Sequence, residues 1–281
     1  IFIMLPRAEV SAGRIKEVLE TKDSIKDGNK GTSDVTEKGT VEFRDVSFKY
    51  PDASEYLLEK ISFKANKGET IAFIGSTGSG KSTLVNLIPR FYDATEGEVL
   101  VDGQNVKDYT QAELRNRMSY IPQKAYIFSG TIKDNFRFTN KNMTDEEMAE
   151  IAKVAQSYDF INSLPDKFNS FVAQGGTNFS GGQKQRLSIA RALSKEANIY
   201  LFDDSFSALD YATDAKLRKE LKTFLKDKIT IIIAQRLNTI ADADKIIVLK
   251  DSEITGMGTH QELLESNQEY IELAKSQGIL E

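Results

Sequence analysis

The stretch GSTGSGKST at residues 75–83 constrains the fold most, because it follows directly on the apolar run TIAFI. It fits the pattern G-x-x-x-x-G-K-[ST], in which glycine-rich backbone turns its N–H groups around a phosphate at the start of a helix. Glycines at positions 75, 78 and 80 permit that turn. The stretch therefore predicts a strand, a phosphate-binding loop and a helix in succession, although a glycine-rich turn of purely structural role is the alternative.

Each part of this loop has an expected role toward a nucleoside triphosphate and its magnesium ion. Lys81 is expected to reach the β- and γ-phosphates, and Ser82 to ligate Mg²⁺. Asp203 ends the apolar run IYLF and is expected to hold the same ion through water, unless it only caps its strand. The expected ligand is Mg-ATP or Mg-GTP. The expected contacts of the loop are Gly75, Ser76, Thr77, Gly78, Ser79, Gly80, Lys81, Ser82 and Thr83.

Two kinds of strand pattern occur along the chain. Continuous apolar runs at 70–75, 199–203, 229–234 and 245–249 are typical of strands covered on both faces of a parallel sheet. Alternating runs at 41–50, 61–65 and 97–103 instead favour an antiparallel sheet, with a possible bulge at Asp45, where the alternation shifts by one. The stretch 124–190 lacks strand-type runs and carries a helical pattern at 144–164, so it predicts a separate helical lobe.

The beginning of the chain differs from the rest. Residues up to about 20 show a helical pattern that resembles the cut end of a longer helix or a simple fragment boundary, and residues 21–40 are polar and glycine-containing, as in a linker. The expected division is a helix end with linker at 1–40 and a folded domain at 41–281. Three motifs predict capping boxes at helix starts, at Thr110, Thr144 and Thr259.

Composition excludes some classes of protein. With 37 Lys and Arg against 42 Asp and Glu, the net charge of −5 gives no overall positive field, so we expect no nucleic-acid partner. The absence of cysteine excludes disulfides and thiolate metal sites and fits a reducing compartment. The apolar runs are far shorter than the ~18 to 20 residues that a bilayer span requires.

A second phosphate cradle is predicted at residues 178–193, NFSGGQKQRLSIARAL. Ser180, Gly181 and Gly182 open an amphipathic helix with a hydroxyl, unhindered backbone N–H groups and the positive end of a helix dipole. One nucleotide cannot easily fill two cradles in one compact domain. The economical interpretation is that each cradle serves half of a site that another domain completes.

With these two cradles, the chain resembles the ATP-binding cassette (ABC) family over about residues 41–275, specifically the nucleotide-binding domain of an exporter. The resemblance implies an α/β P-loop NTPase cassette with a mixed, largely parallel sheet core, an antiparallel β subdomain and an α-helical subdomain at about 124–190. It also implies the cofactors ATP and Mg²⁺. The opening LPRAEVSAGRIKEVLE is similar to the exporter segment that joins the last transmembrane helix to this domain.

The resemblance also implies roles for single residues outside the phosphate loop. The signature residues Ser180, Gly181, Gly182 and Gln183 would cap ATP bound to the opposite domain, and SALD at 207–210 would cross the dimer interface. Tyr50 would stack on adenine, and Gln123 would link Mg²⁺ to the membrane part. The structural alternatives are an ordinary strand aromatic for Tyr50 and an ordinary loop polar group for Gln123.

Three positions depart from the family pattern. Asp204 stands where active family sites have a glutamate base, and Gln235 stands where a histidine contacts the γ-phosphate. An amide cannot exchange a proton near neutral pH, and losing a positioned general base costs ~10² to 10⁴ in rate. The third departure is AQGG at 173–176, where exporters carry a stretch implicated in contact with the membrane domain. The single histidine, His260, lies in a capping box and is expected to be structural.

These departures favour the weak-site subunit of a heterodimeric exporter. In that hypothesis Asp204 and Gln235 form a slow catalytic site, and the signature completes the active site of a second nucleotide-binding domain from a different subunit. The full-length protein would sit at the cytoplasmic face of the cell membrane, held there by its own transmembrane domain. The alternatives are a homodimeric exporter in which Asp204 is a working base, a purely regulatory subunit, and a soluble ATPase of the same fold, which would carry a coiled-coil insertion or a second cassette.

Overall fold

The computed structural model describes residues 4–21, 23–29 and 39–280. Residues 22 and 30–38 of the predicted linker and the first three residues of the opening run lie outside this part of the chain. The helices are α1 Met4–Glu20, α2 Lys81–Leu87, α3 Gln111–Asn116, α4 Ile132–Phe136, α5 Asp145–Val154, α6 Tyr158–Ser163, α7 Gly181–Leu193, α8 Tyr211–Phe224, α9 Leu237–Ile240, α10 His260–Ser266 and α11 Gln268–Ser276. Short 3₁₀ turns lie at Val106–Asp108, Lys167–Asn169 and Gln174–Gly176.

The strands form two main sheets and a short ribbon. They are β1 Thr40–Phe48, β2 Leu58–Asn66, β3 Thr70–Gly75, β4 Glu96–Val101, β5 Gln104–Asn105, β6 Met118–Ile121, β7 Gly130–Thr131, β8 Phe171–Val172, β9 Ile199–Asp203, β10 Ile229–Ile233, β11 Lys245–Lys250 and β12 Glu253–Gly258. One sheet has the order β2-β1-β4-β5, the other has the order β12-β11-β3-β10-β9-β6, and β7 pairs with β8.

The six-stranded sheet carries the phosphate loop. Its strands run parallel except for β12, which pairs antiparallel with β11. Ile71 and Phe73 of β3 lie in one apolar core, whereas Ala72 and Ile74 lie in a second core on the opposite face. The continuous apolar runs therefore form strands covered on both faces, as the sequence predicts. Strand β6 was not predicted, because four residues are too few to show a pattern.

The four-stranded sheet is antiparallel, and its first strand is irregular where the sequence pattern shifts. The β1 register slips between Phe43 and Val46 against β2, and Asp45 has a φ of 45°. The extra residue turns Val46 and Phe48 back toward the core, where both are buried. The predicted bulge is therefore confirmed. The predicted mixed α/β fold, with an antiparallel sheet and a helical layer, is confirmed as well.

The helical pattern at 144–164 forms two helices rather than one. Helix α5 ends at Val154, Gln156 has a φ of 54°, and the Ser157 N–H donates to the Ala152 carbonyl at 2.7 Å. This six-to-one hydrogen bond is the Schellman ending, which reverses the chain without a glycine. The predicted capping boxes at Thr110, Thr144 and Thr259 are confirmed, and Thr131 and Ser180 form two more.

The described end of the linker lies on the domain. The Gly28 N–H donates to the Tyr109 carbonyl at 2.9 Å, and Asp27 accepts from the Gln111 N–H at 2.9 Å. A Cβ on Gly28 would stand 2.2 Å from the Asp108 carbonyl oxygen, so only glycine permits this approach. Helix α1 has no buried residue. Within residues 4–21, 23–29 and 39–280, no helix is both long and apolar enough to cross a membrane.

Candidate functional site

The phosphate loop lies between β3 and α2, at the carboxyl end of the parallel strands. Gly80 caps α2 in the left-handed conformation with a φ of 86°, which aims the first N–H groups of the helix into the loop. Within the described part of the chain, no atom stands within 4 Å of a Cβ built on Gly78, so the loop presents an open backbone face there. A glycine-rich turn of this kind before a helix N-terminus is an arrangement that binds phosphate.

Lys81 is held inside the loop by its own backbone. Its Nζ donates to the Gly75 carbonyl at 2.9 Å, the Ser76 carbonyl at 2.6 Å and the Ser79 Oγ at 3.0 Å. Burial lowers the pKa of the Lys81 ammonium, and the charges of Asp204 and Asp203 oppose that shift. Because the carbonyls and hydroxyl fix the ammonium in the loop, a phosphate that enters it meets a positive charge already in position.

Asp203 and Ser82 form a group of oxygen atoms at the base of the loop. The Ser82 hydroxyl donates to Asp203 Oδ1 at 2.7 Å, and the carboxylate is buried at the end of β9. Hydroxyl and carboxylate oxygens are the ligands that Mg²⁺ prefers, and the ion keeps most of its water in such sites. This pair therefore fits a magnesium ion bound beside phosphate.

Tyr120 completes this group, and sequence analysis missed it. Its hydroxyl donates to Asp203 Oδ2 at 2.9 Å, so both carboxylate oxygens are engaged. Burial raises the pKa of Tyr120, and the Asp203 charge raises it further, which keeps the phenol protonated as a donor. The residue could not be found from its neighbours in sequence, since only the pairing of β6 with β9 brings it to Asp203.

Asp204 lies at the centre of a second cluster. Its Oδ2 accepts the side-chain amide of Gln123 at 3.0 Å and that of Gln235 at 2.9 Å. Burial raises the pKa of Asp204, the hydrogen bond from Gln123 opposes this, and the Asp203 charge adds to it. Two neutral amides from distant parts of the sequence thus donate to one oxygen atom of Asp204.

Tyr50 lies beside the phosphate loop with its side chain partly exposed. Its hydroxyl lies 3.0 Å from Thr83 Oγ1, and its ring meets Phe48 and Tyr92 edge-to-face at 5.0 and 5.4 Å between centroids. The aromatic group is fixed next to the N-terminus of α2, where a flat base attached to a bound phosphate could stack. Tyr92, equally exposed, is a second aromatic that sequence analysis missed.

The signature segment lies apart from the phosphate loop. Ser180 caps α7, its Oγ accepts the Gln183 N–H, and Gln183 returns a side-chain oxygen to the Ser180 N–H at 3.0 Å. Helix α7 packs on β6, α4 and α5, whereas α2 packs on β3, β9 and β10. In the part of the chain that the structure describes, no hydrogen bond joins residues 180–183 to 75–83. Gly181 is open, with nothing within 4 Å of a built Cβ.

Two other motifs take positions outside these clusters. The turn at 207–210 is tied to the segment after Gln235, because Arg236 donates to the Ser207 and Leu209 carbonyls at 3.1 and 3.3 Å. His260 Nδ1 lies 2.7 Å from the hydroxyl of the buried Tyr270, which gives it a place in the C-terminal helices and not at the phosphate loop. The AQGG stretch forms a 3₁₀ turn with Gly175 at a φ of 65°.

Comparison with known sequences identifies the family. The sequence model described as "ABC transporter" matches residues 58–207, just over half of the chain. The chain belongs to the ABC transporter family. Proteins of this family are ATPases coupled to transport. Because the matched region is the family's ATP-binding domain, the match implies that the chain binds ATP. The matched range contains the phosphate loop, Gln123, the signature and Asp204.

Similar proteins extend the match to almost the whole ABC chain. An uncharacterized ABC transporter ATP-binding protein of Mycobacterium bovis is 45% identical over 284 residues, covering 98% of this chain and 48% of its own length. A Staphylococcus aureus protein named for multidrug export as an ATP-binding/permease protein is 40% identical, covering 94% of this chain and 46% of its own length. The chain therefore spans about half the length of the curated relatives it matches.

A solved structure supports the ABC cassette fold. The structure of a bacterial Atm1-family ABC exporter with ATP bound superposes with a TM-score of 0.88 at 32% sequence identity. The superposition covers 99% of this chain and 49% of that one. The agreement therefore includes helix α1 as well as the cassette.

Gln277 lies beside the candidate site of the ABC chain, and sequence analysis missed it. Its Nε2 donates to the Gln235 carbonyl at 2.8 Å, and its Oε1 accepts the Leu237 N–H at 2.9 Å. One side chain at the end of α11 therefore holds the backbone on both sides of Arg236. No motif could have marked it, because its partners are main-chain atoms 40 or more residues away.

We expect Gln277→Ala to loosen the Gln235 loop while leaving the fold intact. One hydrogen bond of this kind contributes about 0.5–1.5 kcal/mol, so exchange of the Leu237 amide proton should accelerate up to about tenfold. Hydrogen exchange followed by NMR measures this directly. Gln268→Ala on the same helix is the matched control and should leave Leu237 unchanged. Equal exchange in the native chain and Gln277→Ala would show that the two hydrogen bonds do not hold the loop.

Proposed function

We propose that this chain is the nucleotide-binding part of the weak-site subunit of a heterodimeric ABC exporter. It binds Mg-ATP, hydrolyses it slowly at its own phosphate loop, and completes the active site of a second nucleotide-binding domain from a different subunit. The observation that carries the proposal is the environment of Asp204, whose Oδ2 is occupied by the amides of Gln123 and Gln235.

Binding of Mg-ATP rests on the loop and its neighbours. Residues 75–83 and the α2 N-terminus enclose the phosphates, Lys81 meets the β- and γ-phosphates, and Tyr50 stacks on the adenine. Ser82 would ligate Mg²⁺, and Asp203 and Gln123 would hold the same ion. When bound, the ion neutralises charge on the β- and γ-phosphate oxygens. The hydrogen bond between Ser82 and Asp203 supports this, because it already brings two oxygen ligands together.

Slow hydrolysis follows from the residues around the attacking water. A base must accept a proton from this water, and Asp204 is one methylene shorter than glutamate while its Oδ2 already accepts two hydrogen bonds. Gln235 orients the water or the γ-phosphate through its amide but cannot accept a proton in exchange. His260 does not replace it, because its ring is held beside Tyr270 in the C-terminal helices. The site therefore positions water without an effective general base.

The signature serves the partner. Ser180, Gly181, Gly182 and Gln183 present a hydroxyl, open backbone and a helix N-terminus on α7, which packs on other elements than the helix of the phosphate loop. A second domain in head-to-tail orientation would place its bound ATP against this surface. The turn at 207–210 would lie between the two sites, where Arg236 couples it to the Gln235 loop.

The exporter assignment rests on the similar proteins. The Staphylococcus aureus relative is named for export, and the Atm1-family protein, whose structure also covers α1, is an exporter. We propose that residues 1–40 join a transmembrane domain of the full-length chain to the nucleotide-binding domain at 41–281, whose helical subdomain spans about 124–190. ATP would close the two domains at the cytoplasmic face of the membrane, and hydrolysis at the partner's site would release them to drive alternating access.

A homodimeric exporter is the second candidate. The raised pKa of Asp204 favours this candidate, since a carboxylate whose pKa lies closer to neutral pH is a better proton acceptor. In that case Asp204 would be a working base in two equivalent sites. A soluble ATPase of the same fold has no such observation in its favour.

The split role of the signature can be tested with Ser180→Arg. The arginine would fill the open surface that meets the partner's phosphate, while the chain's own loop would be untouched. We expect an unchanged ATP-induced rise in melting temperature but loss of turnover in any dimer that uses this signature. Equal loss of both properties would contradict the division into two half-sites.

A complementation experiment makes the same test without knowledge of the natural partner. A chain with Asp204→Glu, Gln235→His and Ser180→Arg should be inactive alone, because no intact signature faces its restored site. Mixing this chain with a second chain that carries only Lys81→Ala, and therefore keeps the native signature, should recover phosphate release. The control is Lys81→Ala/Ser180→Arg, which should recover none. Recovery with this control would show that the signature acts elsewhere.

A further inference from the structure

A cavity lies between helix α8 and the face of the six-stranded sheet, away from the phosphate loop. Its volume is about 530 Å³, within the range of pockets that hold small organic ligands. One wall is α8, and the opposite wall is formed by the starts of β3 and β10 and by residues 242–244. None of the roles assigned above involves this cavity.

The floor of the cavity is apolar. Phe202, Phe206 and Ile232 reach it from the sheet side, and Leu221 of α8 and Leu225 of the turn after it reach it from the other side, all of them buried side chains. Such a floor favours a hydrocarbon chain over a polar ligand, because these side chains offer dispersion contacts but no hydrogen-bond partner. The first requirement on a ligand is therefore an apolar body.

The rim of the cavity is positively charged on one side. Lys219, Lys222 and Lys226 line it from one face of α8 and the turn after it, at the three- and four-residue spacing of a helix face. Among residues 4–21, 23–29 and 39–280, no ion pair involves any of the three. The second requirement on a ligand is therefore an anionic head.

The remaining charges of the cavity are already engaged. Arg218 lies 3.3 Å from the buried carboxylate of Asp214 and 3.9 Å from the exposed carboxylate of Asp242, and Asp244 accepts the Thr70 N–H at 2.8 Å. The two acids of the opposite wall are therefore directed to partners of their own. The three lysines leave the α8 rim with an excess of positive charge next to an apolar floor.

We propose that this cavity binds a single-chain anionic amphiphile. Its hydrocarbon chain lies on the floor formed by Phe202 and Phe206, and its carboxylate or phosphate head lies between Lys219, Lys222 and Lys226. The two features specify one class of ligand together. A purely apolar molecule leaves the lysines unpaired, and a purely ionic one makes no contact with the apolar floor.

The cavity is tested with dodecanoate, kept below its micelle concentration and titrated against the whole chain by calorimetry. We expect saturable binding of one molecule per chain, and at least tenfold weaker binding of dodecanol, which lacks the charge. Absence of saturable dodecanoate binding would overturn the proposal. Lys81→Ala should bind dodecanoate normally, which separates this site from the nucleotide site.

Two pairs of variants locate the binding. Ala215→Trp fills the mouth of the cavity and Lys222→Glu reverses a rim charge, and each should weaken dodecanoate binding about tenfold or more. Ala212→Trp and Lys216→Glu make the same changes on α8 outside the cavity and should have no effect. If the members of each pair bind alike, the ligand is not in this cavity.

A further titration separates a free amphiphile from a membrane surface. Vesicles of phosphatidylglycerol present the same head and chain chemistry within a bilayer. Binding to the vesicles that is insensitive to Ala215→Trp, together with no binding of free dodecanoate, would show that the lysines recognise a lipid surface and would overturn the cavity site. Competition of dodecanoate with decyl phosphate, at one site per chain, would support it.

Discussion

Replacing Lys81 by alanine is expected to remove most of the stabilisation of the domain by Mg-ATP. The Lys81 ammonium is held among the Gly75 and Ser76 carbonyls and the Ser79 hydroxyl, at the point where a phosphate enters the loop. Hydrogen bonds to charged groups contribute about 1.5–3 kcal/mol each. Losing those from Lys81 to the β- and γ-phosphates should therefore weaken ATP binding about 100-fold or more. Few other single changes should have so large an effect on binding.

The melting temperature measures this loss. ATP at 100 times its dissociation constant stabilises a native protein by about 2.7 kcal/mol, which corresponds to a shift of roughly 5–10 °C for a domain of this size. At the same ATP concentration, Lys81→Ala should shift by about 1 °C, because the ligand is then near its new dissociation constant.

A matched control separates the charge in the loop from a general effect of removing a lysine. Lys216 is exposed on α8 and lines neither the phosphate loop nor the cavity. Lys216→Ala should keep the full ATP-induced shift. A full shift in Lys81→Ala would contradict the assignment of residues 75–83 as the phosphate-binding loop.

The second large effect is expected from Asp204→Glu combined with Gln235→His, which should raise phosphate release by ~10² or more over the native chain. Glutamate extends the carboxylate by one methylene toward the water, and histidine replaces an amide that occupies Asp204 Oδ2 at 2.9 Å. Together the changes supply a reachable base and a group that can carry a proton near neutral pH.

Phosphate release at saturating Mg-ATP is the measurement, and its pH profile adds a check. Burial raises the pKa of Asp204, so its carboxylate is protonated at a higher pH than that of an ordinary aspartate. On acidification, the native chain should therefore lose its residual phosphate release at a correspondingly higher pH. Phosphate release by the double variant should instead change with pH as its new histidine titrates, at about pH 6.5.

The control for this variant makes the same chemical changes at remote positions. Asp227 lies in the turn after α8 and Gln268 at the start of α11. Asp227→Glu/Gln268→His should leave phosphate release at the native level. Robust turnover by the native chain, with no gain in the double variant, would make Asp204 a working base and favour the homodimeric exporter.

The parts of the fold that could be predicted are those whose signal is local. The apolar run before GSTGSGKST predicted β3 and its loop, the alternation at 41–50 predicted β1 with its bulge, and three capping boxes predicted three helix starts. In each case the residues that specify the element are its own. Strand β6 and the break at Gln156 were missed, since four residues carry too weak a pattern and a left-handed glutamine has no sequence signal.

The candidate site divides in the same way. From the sequence, the phosphate loop and Asp203 could be predicted through the types and spacing of their residues, and Asp204 and the signature through the resemblance to the ABC family. The meeting of Gln123 and Gln235 on one oxygen of Asp204 and the contact of Tyr120 with Asp203 became visible only in the folded chain. The same is true of the hydrogen bonds by which Gln277 holds the Gln235 loop. These contacts join residues that are 31 to 83 positions apart, so they depend on the order of strands in the sheet and on the docking of α11, which no local pattern encodes.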